Sequence, residues 1–189
     1  FRFDLPIISS PMDTVTSYSM SAEMSRLGGL GIIHRYGSIS NQALLVRSSA
    51  RSGAKNIGAA VGVTGDFIDR ACACVDSGAN IICVDIAHGH HVLMKQAIHE
   101  LNNVFGNEVH IMAGNVATLS GFNDLSDWGA DSIRVGIGGG SICSTRTQTG
   151  HGIPTLQSVI DCSASDRDAA LIADGGIRTS GDIVKALAA

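Results

Sequence analysis

Short apolar or β-branched runs recur along the chain at Leu5–Ser9, Leu30–His34, Ile57–Val63, Ile81–Ile86, His110–Ala113, Ser132–Val135 and Ala170–Ala173. They predict seven strands. The stretches between them carry helical spacing. In Phe67–Ser77, Ile68, Ala71, Cys72 and Val75 fall on one face, and in Leu119–Trp128 so do Leu119, Phe122 and Leu125. Thr118 and Thr179 stand where helix N-caps belong, because a hydroxyl there accepts from an otherwise orphaned N–H. Ser180–Ala189 reads as the seventh helix.

Helix exits repeat as well. Ser-Gly-Ala-Lys-Asn-Ile at 52–57, Ser-Gly-Ala-Asn-Ile-Ile at 77–82 and Trp-Gly-Ala-Asp-Ser-Ile at 128–133 are three versions of one joint. The glycine closes a helix in the left-handed conformation and a strand follows within a few residues. Strands alternating with helices predict parallel strands joined by right-handed crossovers. Two folds satisfy this: a (β/α)8 TIM barrel, and an open doubly wound sheet. Every segment after a strand carries polar or glycine chemistry: Ser9–Thr14, His34-Arg35, Thr64–Asp66, Asp85 with His88–His91, Gly114-Asn115, Gly136–Cys143 and Asp174–Gly176. A doubly wound sheet concentrates such residues near one switch point, whereas a barrel gathers all its strand ends at one mouth. The expectation is therefore an α/β protein: a TIM barrel, here a fragment with about seven βα units. Residues 1–189 then form a partial catalytic domain lacking the eighth unit.

Composition narrows the function. The 189 residues are 44% hydrophobic and 16% charged, enough for a core and too apolar for disorder. A net charge of −4 with 13 scattered Lys+Arg argues against a nucleic-acid partner. No apolar run is long enough for a membrane span, and the start FRFDLP does not read as a leader. Five cysteines at irregular spacing, without a CxxC pair, indicate neither a zinc site nor a disulfide framework. A reducing cytoplasm is the expected setting.

The richest segment is Gly136–Thr145. Four glycines in five residues expose backbone groups that can cradle a phosphate with N–H groups or a cation with carbonyls. No Gly-Lys-Ser/Thr follows, so it is not a P-loop. Cys143 is the one cysteine placed in a loop at a strand end. Near Arg146 and exposed N–H groups it is the candidate nucleophile. Asp174-Gly175-Gly176 offers a carboxylate for a ribose diol and bare backbone for a phosphate, or alternatively an Asx turn. Met12, beside Ser10 and Asp13, suits a flat base or a core position. Asp85 ends a continuous apolar strand, where an acid faces the mouth or forms a buried pair; the mouth is expected. His88, His90 and His91 lack metal-ligand spacing and read as hydrogen-bonding loop histidines.

Together, Ser-Ser-Pro-Met-Asp-Thr-Val (9–15), Gly-Leu-Gly-Ile-Ile-His-Arg (29–35), Val-Asp-Ile-Ala-His-Gly-His (84–90), Ala-Gly-Asn-Val-Ala-Thr (113–118), Arg-Val-Gly-Ile-Gly-Gly-Gly-Ser-Ile-Cys-Ser-Thr-Arg (134–146) and Ala-Asp-Gly-Gly-Ile (173–177) resemble the IMP dehydrogenase/GMP reductase family. The resemblance implies a barrel enzyme, usually a homotetramer, acting at carbon 2 of a purine nucleotide. It implies that Cys143 forms a covalent thioimidate and that Thr145 assists proton transfer. It implies substrate contacts at Ser10, Met12, Ser141, Asp174, Gly175 and Gly176, and cofactor contacts at Asp85, Asn115 and Arg134. It also implies a potassium ion held by the carbonyls of Gly138, Gly140 and Cys143. The expected reaction is NAD-dependent oxidation of IMP to XMP. The alternative is NADPH-dependent conversion of GMP to IMP, and a nucleotide-binding module without turnover is the rival of another class. Asp-Ile-Ala-His-Gly-His is more like the dehydrogenases. Only Arg51–Asn56 stands where most dehydrogenases insert regulatory CBS modules, which is like the reductases or the dehydrogenases that lack the module. Gly139 replaces the family's usual proline. The flap carrying the dehydrogenase's water-activating arginine is not among these residues. The isolated fragment is expected to be inactive and poorly soluble, since an open barrel leaves strand edges unpaired.

Overall fold

The computed structural model describes residues 3–189; Phe1 and Arg2, which open the segment read as no leader, lie outside the described residues. The chain divides into two compact units, residues 1–84 with 100–111 and residues 85–99 with 112–189.

In the first unit strands and helices alternate. They are β1 (Ile8–Ser9), α1 (Tyr18–Arg26), β2 (Leu30–Ile33), α2 (Ile39–Arg51), β3 (Ile57–Val61), α3 (Phe67–Asp76) and β4 (Ile81–Asp85), whose last residue opens the second unit. β1–β2, β2–β3 and β3–β4 each pair in parallel. Every residue of β2 and β3 is buried, as is β4 up to Val84, which is why these strands read as unbroken apolar runs. The expected first strand shortens to two residues because Pro6 sits in a turn closed by Ile7 N–H donating to the Leu5 carbonyl at 2.8 Å. The repeated helix exits are as expected. Gly53 and Gly78 take φ of +89° and +116°, and Gly28, after α1, takes +86°.

The expected inner face of α3 is displaced. Phe67, Arg70, Ala71 and Cys74 are buried, whereas Ile68, Cys72 and Val75 are half-buried. Arg70 turns the helix inward. Its guanidinium pairs with Asp66 at 2.8 Å and donates to Gln42 Oε1 at 2.9 Å and to the Gly37 carbonyl at 3.2 Å. Gln42 Nε2 in turn donates to the Ala60 carbonyl at 2.8 Å. A buried charge is tolerated only with such partners, and the partners fix the helix phase.

The second unit holds most of β5 (His110–Val116), then α5 (Leu119–Asp127), β6 (Ser132–Val135), α6 (Thr145–Thr149), α7 (Thr155–Ser163), β7 (Ala170–Ala173) and α8 (Ser180–Ala188). The helix α4 (Val92–Phe105) is divided between the units. β5–β6 and β6–β7 pair in parallel. β5 runs on through Gly114-Asn115, expected as loop, because the strand continues past a register shift between Gly114 and Val116. Phe122 and Leu125 are buried as expected, joined by Gly121, while Leu119 is half-buried. Both expected N-caps are present. Thr118 accepts from Gly121 N–H, and Thr179 forms a reciprocal capping box with Asp182. The short α6 was not expected and begins directly after the glycine-rich loop. In each unit the strand ends open into the polar loops, which is the repeat of a (β/α)8 fold.

Candidate active site

Cys143 lies in the loop between β6 and α6 with its side chain exposed. Its Sγ is 3.3 Å from Thr145 Oγ1. That hydroxyl and the Thr145 backbone hold the thiol below its ordinary pKa against desolvation, with lesser help from the Gly138 backbone and the Arg146 charge. Among the other cysteines, Cys74 and Cys162 are pushed by burial up to about 12 and about 11. Cys83 is also buried, and Cys72 is half-buried on α3. The loop thiol is thus the one whose surroundings favour a nucleophile.

The glycines explain the loop's path. A Cβ on Gly136 would stand 2.0 Å from the Asp174 carbonyl oxygen, and one on Gly139 2.3 Å from Thr155 Oγ1. Gly175 and Gly176 take φ of +81° and +78°, and a Cβ on them would stand 3.0 Å from the Gly140 nitrogen and 3.1 Å from the Gly139 carbonyl oxygen, respectively. The loops after β6 and β7 therefore meet backbone to backbone, which presents bare peptide groups beside Ser141. Any side chain at 139, proline's ring included, would displace Thr155. Thr155 was not singled out by sequence, and its buried Oγ1 has no partner among the described residues. Arg146 lies between Gly138 and Gly152, within 3.0 Å of the Cβ positions either would carry.

Three strand ends bring a charged cluster together. Arg134, on β6, donates from Nη1 to Asp85 Oδ1 at 2.6 Å and from Nη2 to Asp174 Oδ2 at 2.8 Å. Asn115 Nδ2 donates to the same Asp174 oxygen at 2.5 Å and to the Gly136 carbonyl at 2.8 Å. The Arg134 side chain is 9% exposed, Asp85 30% and Asp174 21%. Asp85 thus takes both alternatives open to an acid at a strand end: it lies at the loop side of the unit and it forms an ion pair. All of Asp85, Asn115, Arg134, Gly138, Gly140, Ser141, Cys143, Thr145, Asp174, Gly175 and Gly176 belong to the second unit, the first three on strands, Thr145 at the start of α6 and the rest on the loops after β6 and β7.

Ser10 and Met12 belong to the first unit, in the loop after β1, and both are half-buried. Thr16, which sequence reasoning passed over, pins that loop. Wholly buried, its hydroxyl lies 2.6 Å from the Ser10 carbonyl and 2.9 Å from Ser9 Oγ. The only available signal was its place one residue past the quoted motif. His90 pairs with Asp124 at 2.7 Å, and His91 Nδ1 accepts from Leu93 N–H at 3.1 Å. Among the described residues no group of three metal-ligating side chains exists. A hollow of about 730 Å³ in the first unit is lined by Asp4, Glu23, Arg26, Ser52, Lys55 and Asn56. These residues belong to helix exits and strand starts, the end of the βα unit away from the strand-end loops, so its size does not make it the site.

An exposed thiol of lowered pKa on a glycine-rich strand-end loop, beside a carboxylate–glycine–glycine turn, places the chain in the class of βα-repeat proteins with polar residues at their strand ends. Comparison with known proteins is consistent with that class. The model of the IMP dehydrogenase/GMP reductase domain matches residues 1–189. The crystal structure of inosine 5′-monophosphate dehydrogenase from Legionella pneumophila superposes with a TM-score of 0.90 at 44% identity, covering 98% of this chain and 55% of that one. The inosine-5′-monophosphate dehydrogenase of Nitrosopumilus maritimus is 44% identical over 144 residues, 75% of this chain and 30% of its own. The GMP reductase of Leishmania major is 49% identical over 136 residues, 70% of this chain and 28% of its own. The chain belongs to the IMP dehydrogenase/GMP reductase family, and its fold is a partial (β/α)8 barrel. It spans from under a third to about half the length of these relatives.

Proposed function

We propose that the complete protein carrying this chain oxidises IMP to XMP with NAD+, using Cys143 as nucleophile. The observation that carries the reading is an exposed thiol of lowered pKa, set in a glycine loop whose backbone meets the Asp174-Gly175-Gly176 turn. The Cys143 thiolate adds to carbon 2 of the hypoxanthine ring, which makes that carbon tetrahedral. A hydride then leaves carbon 2 for NAD+, giving NADH and a thioimidate. Water adds to carbon 2, the sulfur leaves and is reprotonated, and XMP is released. Thr145, in contact with the sulfur, holds the proton economy of this step.

The remaining residues position the ring. Asp174 accepts from the ribose diol, and the N–H groups around Ser141, Gly175 and Gly176 suit the phosphate. The resemblance assigns Ser10 and Met12 to the substrate as well. Such clamping at both ends places carbon 2 within reach of Cys143, and positioning supplies much of the rate. Asp85 receives the nicotinamide ribose, with Asn115 and Arg134 beside it. For a monovalent cation such as K+, the neutral oxygens of Gly138, Gly140 and Cys143 are suitable donors. The Gly140 carbonyl already accepts the Cys143 N–H at 3.1 Å, which leaves it one lone pair. Bound there, a cation would stabilise the loop that carries the thiol. The reducing cytoplasm is the compartment in which such an exposed thiol persists.

The likeness to the Leishmania major GMP reductase supports a second reading, in which the same thiol adds to GMP, ammonia leaves and NADPH returns a hydride. The complete protein with IMP and NAD+ should form NADH and XMP together, and Cys143→Ser should reduce this to background. Ammonia release from GMP with NADPH, and no NADH from IMP, would replace the first reading by the second. Full turnover by Cys143→Ser would remove both.

A further inference from the structure

We propose that Arg134 couples the two nucleotide subsites, so that filling one prepares the other. The inference rests on the reading above for which ligand each acid serves. Asp85 and Asp174 come from the ends of β4 and the loop after β7, 89 positions apart in sequence. One guanidinium serves both, at 2.6 and 2.8 Å, and its side chain is 9% exposed. Two anions therefore share one nearly buried cation, and the position of that cation is set by both.

Asn115 breaks the symmetry. It adds a second donor to Asp174 Oδ2 and ties it through the same amide to the Gly136 carbonyl, at the root of the Cys143 loop. Oδ1 of Asp174 accepts no hydrogen bond among the described residues, so a ribose diol engages this carboxylate without displacing either donor. A nucleotide held there fixes Asp174, and Asp174 fixes Nη2 of Arg134. Because the guanidinium is planar and rigid, Nη1 is fixed with it and Asp85 is held in place. The dinucleotide then meets an acid already ordered, and the ordering cost is met once rather than twice. By linkage the effect is reciprocal: the dinucleotide tightens the nucleotide by the same factor.

The test measures binding in the complete protein made catalytically silent by Cys143→Ser. The Kd of IMP is determined by calorimetry with and without saturating NAD+, and the ratio of the two values is the coupling factor. Direct contact between the two ligands contributes to that factor in every variant, so the readout is its change. Arg134→Lys should lower it by about fivefold or more, at the low end of typical couplings between sites. Asp85→Asn should do the same; it leaves the Arg134–Asp174 pair in place, and it serves if Arg134→Lys does not fold. A direct loss of NAD+ affinity in Asp85→Asn acts equally with and without IMP and cancels from the ratio. A factor that rises, or stays within twofold in the folded variants, overturns the coupling while leaving the proposed function standing. If the Cys143→Ser protein binds neither IMP nor GMP, the proposed function itself fails, and the coupling with it.

Discussion

At the scale of the residue, Cys143 combines exposure with a lowered thiol pKa. Thr145 contacts Cys143 through both its hydroxyl and its backbone, and those contacts lower the thiol pKa more than the Arg146 charge does. A lowered pKa moves the onset of thiolate, and so of alkylation, to lower pH. The rate of Cys143 modification by iodoacetamide should therefore rise with a midpoint below that of a free thiol. Thr145→Val removes the hydroxyl and should shift the midpoint upward, while Thr145→Ser should hold it. An identical profile in Thr145→Val would show that the hydroxyl plays no part. Cys74 and Cys162, at about 12 and about 11, should stay unmodified at neutral pH in the folded protein. The place of Cys143, in a glycine-rich loop after a strand, was legible in sequence. The Arg134 bridge was not. Arg134 sits inside the apolar run Ser-Ile-Arg-Val, and its acids lie 49 and 40 positions away. Only folding brings them together, and no local pattern encodes that.

At the scale of the element, the sequence speaks where local chemistry decides and falls silent where tertiary partners do. Glycine at a helix exit has one conformational use, so the joints at Gly53, Gly78 and Gly129 were legible and all take positive φ. Threonine caps were legible for the same reason. Thr118→Ala removes the acceptor for Gly121 N–H at the start of α5 and should cost about 1 kcal/mol, read as a lower denaturant midpoint at unchanged slope. A midpoint matching the parent chain would mean that water replaces the cap without loss. The phase of α3 was not legible, since spacing counts apolar residues alone and the buried face includes Arg70, whose partners lie up to 35 positions away. The extension of β5 through Gly114-Asn115 was hidden likewise. That dipeptide reads as a turn, yet its backbone is fixed by Asn115 N–H donating to the Ile86 carbonyl and Ile86 N–H donating to Gly114, both at 3.0 Å.

At the scale of the whole chain, burial is uneven within the second unit. β6 is buried along its full length and is flanked by β5 and β7. β7 pairs with β6 and, among the described residues, with no other strand; its four residues are half-buried or exposed. The helix that follows shows the same lack of cover, with Val184 and Leu187 65% and 64% exposed and no buried residue in α8. Burial and strand pairing govern how often an amide opens to solvent. In the 189-residue chain, hydrogen exchange should therefore be graded. Amides of Ile133 and Val135 should be among the slowest of this unit, and those of β7 and α8 should exchange well before them. The capping box of Thr179 and Asp182 cannot reverse that order, because it satisfies a helix start and covers no apolar surface. The gradient separates two causes of stability in a repeat fold. If it reflects strand pairing and burial, β7 should gain protection, and β6 should change little, in any longer chain whose further residues pack on Val184 and Leu187. If β7 is as protected as β6 in the 189-residue chain itself, local hydrogen bonding rather than neighbouring layers holds these units together, and the case for an interdependent barrel repeat fails.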